Sequence, residues 1–392
     1  MPRLEHVGFA VSDLDTTLDA LRRVLELVPY KTETVAREGV RTHFLDAGAK
    51  LELLEAIAPE SPVAAFLAKK GPGLHHLAFD VDDLDATFAR LSGAGVPLLA
   101  DAPKAGADGK RIFFVHPKAT PGLLVEFCAD DPSAMPTPAF VPFEGGQIAT
   151  YALGSDARPT LVLLHGAGGS TQLETLPLAR QLQTDFRVVA FDLPGHGQSA
   201  DDGRAPITFE RMQAATLAVL DAAGGERAVL AGYSFGGAIA LFVAAQHPAR
   251  VERVAAHATN VFWDEAMVRG MAKRVNVEAI RRRPDVWTML DHAHGGHAAA
   301  LFPRVADFSA TIPAFRAEAE RLLPQVTAPV LLTAGDRDDL FPLDATLRLR
   351  DALPNASLGL VPGLRHRLDP AGTRAVAAMW KAWLVGGEGK IR

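Results

Sequence analysis

The stretch EHVGFAVSDLD, residues 5–15, returns in altered form as HHLAFDVDDLD, residues 75–85. His6 falls on His76, Phe9 on Phe79, Val11 on Val81, and Asp13-Leu14-Asp15 on Asp83-Leu84-Asp85. Each copy opens on an alternating strand, HVGFAV or HLAFDV. Each passes a DLD start, with Asp as N-cap, into an amphipathic helix, TTLDALRRVL or ATFARLSGAG. Alternate residues of a strand share a face, so His6 and His76 hold equivalent places in equivalent strands. If the halves pair by pseudo-twofold symmetry, both imidazoles face one cavity. His75 is expected on the opposite face from His76.

A second correspondence strengthens the first. Each half closes on an apolar strand with a lone glutamate, Glu52 in KLELLEAI and Glu126 in GLLVEFCA. A charge among such neighbours is costly unless partnered. Two His and two Glu in symmetric register predict a nitrogen/oxygen site for one divalent ion, Co, Ni, Mn or Zn, with positions left for water.

These residues resemble the vicinal-oxygen-chelate superfamily, which includes glyoxalase I and methylmalonyl-CoA epimerase. The blocks SPVAAFLAKKGPGLHHLAF, KAGADGKRIFFVHPKATPGLLVEF and LELLEAIAPESP are most similar to the epimerases, over about residues 3–130. The resemblance implies an α+β fold of paired βαβββ modules. It implies His6, His76 and Glu126 as metal ligands, with Glu52 at a position that is Gln or Glu in epimerases. The implied chemistry is proton removal alpha to a thioester carbonyl, with a glutamate as base. The chain departs from the pattern at Thr42, where some epimerases carry an acidic residue.

The remainder reads differently. TLVLLHG, RVVAFDLPG, RAVLAGYS and PVLLTAGD are short apolar runs, each halting at Gly, Asp or Ser. Such runs between helical segments predict buried parallel strands. LAGYSFGGAIALF carries Gly232-Tyr233-Ser234-Phe235-Gly236, a G-x-S-x-G between a strand and a helix, which is the setting a nucleophile elbow requires. Serine needs a base, and the expected chain order is Ser, acid, His. His366, in the loop after LGLVP, is the expected base. Asp338 is the expected acid, with Asp336 and Asp339 as alternatives in the same loop. The oxyanion donors are expected to be the N–H groups of Phe235 and of Ala167, after His165-Gly166. The Gly-rich turn HGAGGS lacks the Gly-Lys-Ser/Thr ending of a phosphate loop. With FDLPGHGQS, these residues resemble the α/β-hydrolase superfamily over about residues 138–386. The resemblance implies a serine hydrolase without cofactor.

Composition bounds the rest. The chain has 392 residues, enough for two or three domains, with Lys+Arg 40 against Asp+Glu 46. This mild acidity predicts neither nucleic acid nor an anionic membrane as partner. A single cysteine, Cys128, and no spanning-length apolar run predict a cytoplasmic protein, and a homo-oligomer is compatible with the sequence. Proline-rich CADDPSAMPTPAFVPFEGG, residues 128–146, predicts a boundary: a metal domain over 1–130, a linker over 131–137 and a hydrolase domain over 138–392, with a small helical cap near 261–323. In that cap, His292, His294 and His297 read as a polar loop or helix end rather than a second metal site. Lys273, Arg274, Arg281, Arg282 and Arg283 read as a solvated face, with a clamp for an anionic group as the sharper alternative.

The sequence thus predicts two engines in one chain. One hydrolyses a small-molecule ester or acyl thioester through an acyl-serine, and the other abstracts a proton beside a thioester carbonyl. Two alternatives stand: an esterase or lactonase whose first domain only binds a ligand or dimerises, and a working epimerase with a degenerate hydrolase.

Overall fold

A computed structural model of the chain describes residues 2–386 other than 48, 132, 133, 200 and 202. It divides into two compact units, 1–135 and 136–392.

The first unit is one eight-stranded sheet. Its strands are β1 Arg3–Val11, β2 Lys31–Val35, β3 Val40–Asp46, β4 Lys50–Ala56, β5 Gly73–Asp80, β6 Lys104–Ala105, β7 Lys110–Val115 and β8 Val125–Asp130. The order β2-β3-β4-β1-β5-β8-β7-β6 is two equal halves meeting at an antiparallel β1–β5 seam. Within each half the seam strand lies parallel to the next strand outward, β1 on β4 and β5 on β8. The repeat in the sequence is therefore a repeat in topology, and it puts His6 and His76 on adjacent central strands. Helices α1 Leu14–Leu25 and α3 Leu84–Gly93 cover one face. Asp13 Oδ1 accepts from Thr16 N at 3.0 Å and Asp83 Oδ1 from Ala86 N at 2.9 Å, which satisfies an otherwise unpaired donor at each helix start. Leu14, Leu18 and Leu21 pack on Val11, Leu45 and Leu53, and Phe88 and Leu91 pack on Val81, Phe113 and Val125. The apolar strand positions thus face the helices, and the polar set His6, Glu52, His76 and Glu126 is left on the other, concave face. There α2, Pro62–Lys70, packs beside β4.

The proline-rich stretch is partly strand. Cys128–Asp130 ends β8, and Ala139–Phe143 forms β9, the outermost strand of the second sheet.

That sheet continues with β10 Gly146–Leu153, β11 Thr160–Leu164, β12 Arg187–Phe191, β13 Ala228–Tyr233, β14 Val251–His257, β15 Val330–Gly335 and β16 Ala356–Val361. Its order is β16-β15-β14-β13-β11-β12-β10-β9, parallel from β12 to β16. Helices α4 Leu176–Leu182, α5 Phe209–Ala222 and α6 Phe235–Gln246 flank it. Both faces are covered, so the middle strands are mostly apolar rather than alternating; β13 is buried at every residue. Between β14 and β15 lies the cap, built from α7 Glu265–Arg274, α8 Val277–Arg281, α9 Pro284–Ala293, α10 Ala298–Thr311 and α11 Arg316–Leu322. Helices α12 Leu343–Asp351 and α13 Pro370–Gly386 complete the unit. Among the described residues no helix is long and apolar enough to cross a membrane.

Candidate active sites

In the first unit, His6, Glu52, His76 and Glu126 are all buried and line one cavity of about 440 Å³. His6 Nε2 and His76 Nε2 lie 2.9 Å apart. Glu52 Oε2 is 3.3 Å from the first and 3.5 Å from the second, and Glu126 Oε2 is 3.7 Å from His76 Nε2. One ligand atom from each of His6, His76 and Glu126 falls within 4.8 Å of the others. Two nitrogens at this separation, each about 2.05 Å from a shared ion, subtend about 90° at it, the angle between neighbouring ligands of an octahedral ion. The donor set, two imidazoles and two carboxylates without sulfur, fits a borderline divalent cation.

Close packing fixes the histidines. Gly8 lies opposite His76 across the seam, and a methyl group built on it would fall 2.3 Å from His76 Cε1. The His76 ring therefore occupies the space a side chain at residue 8 would need.

Two residues that the sequence reading passed over belong to this site. The β1–β5 register skips Glu5 on one strand and His75 on the other, a β-bulge on each side of the seam. An inserted residue breaks the alternation, so the bulged side chain leaves its expected face. His75 accordingly lines the cavity with His76 rather than pointing away from it. Its Nδ1 lies 3.0 Å from His76 Nδ1, and Glu5 Oε2 bonds His6 Nδ1. Each histidine thus presents Nε2 to the centre and has its Nδ1 held by the residue before it, the outer-shell arrangement that fixes tautomer and ring orientation in metal sites. The signal was present in the repeat, where Glu5 aligns with His75; the bulges were not.

Glu5 in turn accepts from Lys50 at 2.9 Å, and Lys50 and Lys31 both bond Asp108. Burial works against charge on Glu5, but Lys50 and His6 hold its carboxyl well below the usual range. Burial likewise opposes charge on His6, yet the bonds to Glu5 and Glu52 carry it up to about 10. Burial pushes His76 down to about 3 and Glu126 up to about 8, while the imidazoles hold Glu52 below its ordinary value despite burial. Thr42 is buried and lines the same cavity, with no carboxyl in its place.

In the second unit Ser234 sits between β13 and α6 with φ 51° and ψ −117°, a left-handed conformation that few L-residues adopt. Gly232 and Gly236 permit the turn. A methyl at Gly232 would meet the Gly236 carbonyl carbon at 2.3 Å, and one at Gly236 would meet Leu164 O at 2.4 Å. Ser234 Oγ lies 3.1 Å from His366 Nε2, and His366 Nδ1 lies 2.9 Å and 3.1 Å from the two oxygens of Asp338. The three loop aspartates separate cleanly. Asp338 faces the imidazole, Asp339 accepts the His366 backbone N–H at 3.2 Å, and Asp336 accepts the Gly363 N–H. Tyr233 Oη donates to His366 O at 3.0 Å and steadies the loop from below.

The loop after β11, where the second oxyanion donor is expected, is pinned on one side. Gly166 O accepts from His165 Nδ1 at 2.7 Å and from Gly169 N at 3.1 Å. In a trans peptide the carbonyl and the following N–H point in opposite directions, so these bonds turn the Ala167 N–H toward the open side. Phe235 N–H, in the first turn of α6, has no intrahelical acceptor. Glu174, in the π-helical turn Thr171–Thr175, was not anticipated. Its Oε2 accepts the Gly166 N–H at 2.7 Å, and burial pushes its carboxyl up to about 7. A methyl on Gly166 would meet both Glu174 Oε2 at 3.1 Å and Ser234 Cβ at 3.3 Å, so this carboxyl borders Ser234.

The cap cations are mostly a solvated face: Lys273, Arg281, Arg282 and Arg283 are exposed, and Arg281 covers Trp287. Arg274 differs, reaching Asp339 at 3.1 Å. His294 ends α9 and is buried; His292 and His297 do not join it at a common centre with carboxylates.

Residues 5–114 match the model of the Glyoxalase/Bleomycin resistance protein/Dioxygenase superfamily, and residues 159–284 match that of the alpha/beta hydrolase fold. Over 127 residues the chain is 38% identical to the ethylmalonyl-CoA/methylmalonyl-CoA epimerase of Cereibacter sphaeroides, which spans 32% of this chain and 95% of the relative. Over 224 residues it is 31% identical to a protein of Variovorax paradoxus provisionally named carbamate hydrolase RutD, across 53% of this chain and 84% of the relative. The crystal structure of a membrane phospholipase A shares 28% identity at a TM-score of 0.51, across 64% of this chain and 86% of that one.

Proposed function

Since the chain belongs to the glyoxalase/bleomycin resistance protein/dioxygenase superfamily in its first unit and to the alpha/beta hydrolases in its second, we propose that it is a two-site enzyme of acyl compounds. The second unit hydrolyses an ester or thioester through an acyl-serine. The observation that carries this reading is the unbroken relay Ser234–His366–Asp338 beside the Ala167 and Phe235 N–H groups.

His366 Nε2 takes the Ser234 proton as Oγ attacks the substrate carbonyl carbon. The carbonyl oxygen gains the electron pair and is held by the Ala167 and Phe235 N–H groups. Collapse of that adduct expels the alkoxide or thiolate, which receives the proton from His366. Water then repeats the steps on the acyl-serine and restores Ser234. Asp338 keeps the Nδ1 proton in place throughout. A carbamate carbonyl, the class carried in the Variovorax relative's name, obeys the same steps.

The first unit removes a proton alpha to an acyl-CoA-type thioester carbonyl. His6, His76, Glu126 and Glu52 would hold a divalent ion, which supplies a Lewis acid for enolate formation when bound. Thr42 carries no base. One of the two cavity glutamates, Glu52 or Glu126, is assigned to accept the alpha proton.

One experiment tests both halves. A chelator should abolish alpha-proton exchange with deuterated water on a 2-methyl-branched acyl-CoA and leave hydrolysis of an activated ester intact, and Ser234→Ala should do the reverse. Loss of esterase activity on chelation of the folded protein would overturn the two-site reading.

A further inference from the structure

Three imidazoles lie behind the oxyanion loop, drawn from three separate segments. His165 comes from the loop itself, His196 from the turn after β12, and His294 from the end of α9 in the cap. All three are fully buried. The ring centroids of His165 and His196 are 5.2 Å apart and those of His196 and His294 are 6.3 Å apart. Every ring nitrogen is engaged by a backbone group, which leaves none free to ligate a metal.

Their hydrogen bonds fix every tautomer. Leu193 N–H donates to His165 Nε2 at 2.9 Å, so His165 Nδ1–H donates to Gly166 O. Gly168 N–H donates to His196 Nε2 at 3.2 Å, so His196 Nδ1–H donates to Pro194 O at 3.2 Å. Gly197 N–H donates to His294 Nδ1 at 3.0 Å, so His294 Nε2–H donates to Gly168 O at 3.2 Å. Each ring accepts one backbone N–H and donates to one carbonyl, which only a neutral imidazole can do.

Gly168 is therefore held at both ends of its backbone, its N–H by His196 and its C=O by His294. It has φ +74°, and the cap residues Val275 and Phe302 stand 3.3 Å and 3.8 Å from where a methyl group would sit. This residue follows Ala167, whose N–H faces the open side of the loop. The Gly168 carbonyl shares its peptide with the Gly169 N–H, which donates to Gly166 O at 3.1 Å, so a rotation of that peptide passes to the Gly166–Ala167 peptide that carries the donor N–H. The cap is anchored independently by Arg304, which bonds Asp201 at 2.7 Å and Ala205 O, so loss of His294 would not by itself unseat it.

We propose that His294 is a positioning residue through which the cap holds the oxyanion loop in its donating shape. This rests on the serine-hydrolase reading for its catalytic consequence, but the latch itself is a structural claim. The geometry makes a sharp distinction between substitutes. Gln can carry an amide N–H to the place of Nε2 and keep the bond to Gly168 O. Asn can carry an oxygen to the place of Nδ1 and keep only the bond from Gly197. Phe fills the space and keeps neither.

The test uses the full chain and two readouts. The first is amide hydrogen exchange of the segment 165–169, read by mass spectrometry. The second is kcat and KM on an activated ester, with kcat expressed per serine titrated by a fluorophosphonate, so that misfolded protein is not counted. His294→Phe should speed exchange of the loop and lower kcat per titrated site about tenfold or more, with KM changed less than about twofold, since the lost element is a transition-state donor. His294→Gln should recover most of both, and His294→Asn should not. Should His294→Phe fail to fold, the Gln and Asn variants decide alone. Unchanged loop exchange in His294→Phe, or rescue by Asn in place of Gln, would overturn the latch. Faster exchange with unchanged kcat per site would overturn its catalytic role. Absence of Ser234-dependent turnover in the unsubstituted protein would instead refute the hydrolase reading and the catalytic role with it, while the exchange arm still decides the latch.

Discussion

Asp338→Asn is the most informative single change to the hydrolase site, because the surrounding bonds dictate how the amide must sit. Asp338 Oδ1 accepts the backbone N–H groups of Leu340 and Phe341, each at 2.8 Å. An asparagine keeps both bonds only by placing its carbonyl oxygen there. Its NH₂ then falls at the Oδ2 position, 2.9 Å from His366 Nδ1. Two donors cannot share that contact, so His366 gives up its Nδ1 proton and carries it on Nε2 instead. The nitrogen that faces Ser234 Oγ at 3.1 Å becomes a donor and can no longer take the serine proton. Wrong-tautomer variants of such triads lose roughly 10³- to 10⁴-fold, or about 4–5.5 kcal/mol of barrier at about 1.4 kcal/mol per decade. The local fold should hold, since the backbone bonds survive. The assay is kcat on a p-nitrophenyl ester alongside a thermal unfolding scan. Asp339→Asn and Asp336→Asn serve as controls and should lose less than about tenfold. An Asp338→Asn protein that keeps more than about a tenth of the parent kcat, or an Asp339→Asn protein that loses as much, would refute the assignment.

Gly8→Val should displace the His76 ring from the centre and lower bound divalent metal, by mass spectrometry of purified protein, about tenfold or more; full occupancy would show that the seam is not tightly packed. His75→Ala should weaken metal affinity about 10- to 100-fold in a chelator competition, because His76 Nδ1 loses its partner; an unchanged affinity would remove His75 from the site. The second unit should lose stability between pH 7 and pH 5. Burial holds His165 and His294 down to about 4 and His257 to about 3, so the unfolded chain binds protons first as pH falls below the ordinary value of 6.5. This stability is full above that value and each imidazole withdraws roughly 2 kcal/mol of it by pH 5. Glu174, raised to about 7 by burial, runs the opposite way and offsets about one of them. The denaturant midpoint for loss of esterase activity should therefore fall, and a midpoint equal or higher at pH 5 would contradict the buried neutral cluster.

By itself the sequence determined the two-part architecture and picked out most of the residues that the fold gathers at the two sites. A repeated strand–helix phrase can be satisfied only by two like halves, and it fixed His6 and His76 as partners before any coordinate. The G-x-S-x-G between an apolar strand and an apolar helix fixed Ser234, because Gly232 and Gly236 are positions where backbone meets backbone and no side chain fits. The chain order fixed His366 and narrowed the acid to three neighbouring aspartates. Tertiary structure alone decided what depends on register and on distance. Which aspartate meets His366 is a matter of loop geometry within a few residues, below the resolution of any pattern. The paired bulges at Glu5 and His75 invert the facing that alternation predicts, and a bulge is set by the strand across the seam rather than by the strand that carries it. Glu174 and His294 lie 60 residues apart in either direction from Ser234, and nothing local marks them. They become part of the site only when the π-helical turn and the cap fold back on the same glycine loop, because a buried carboxyl or imidazole takes its partner from whatever backbone the fold brings within hydrogen-bond reach.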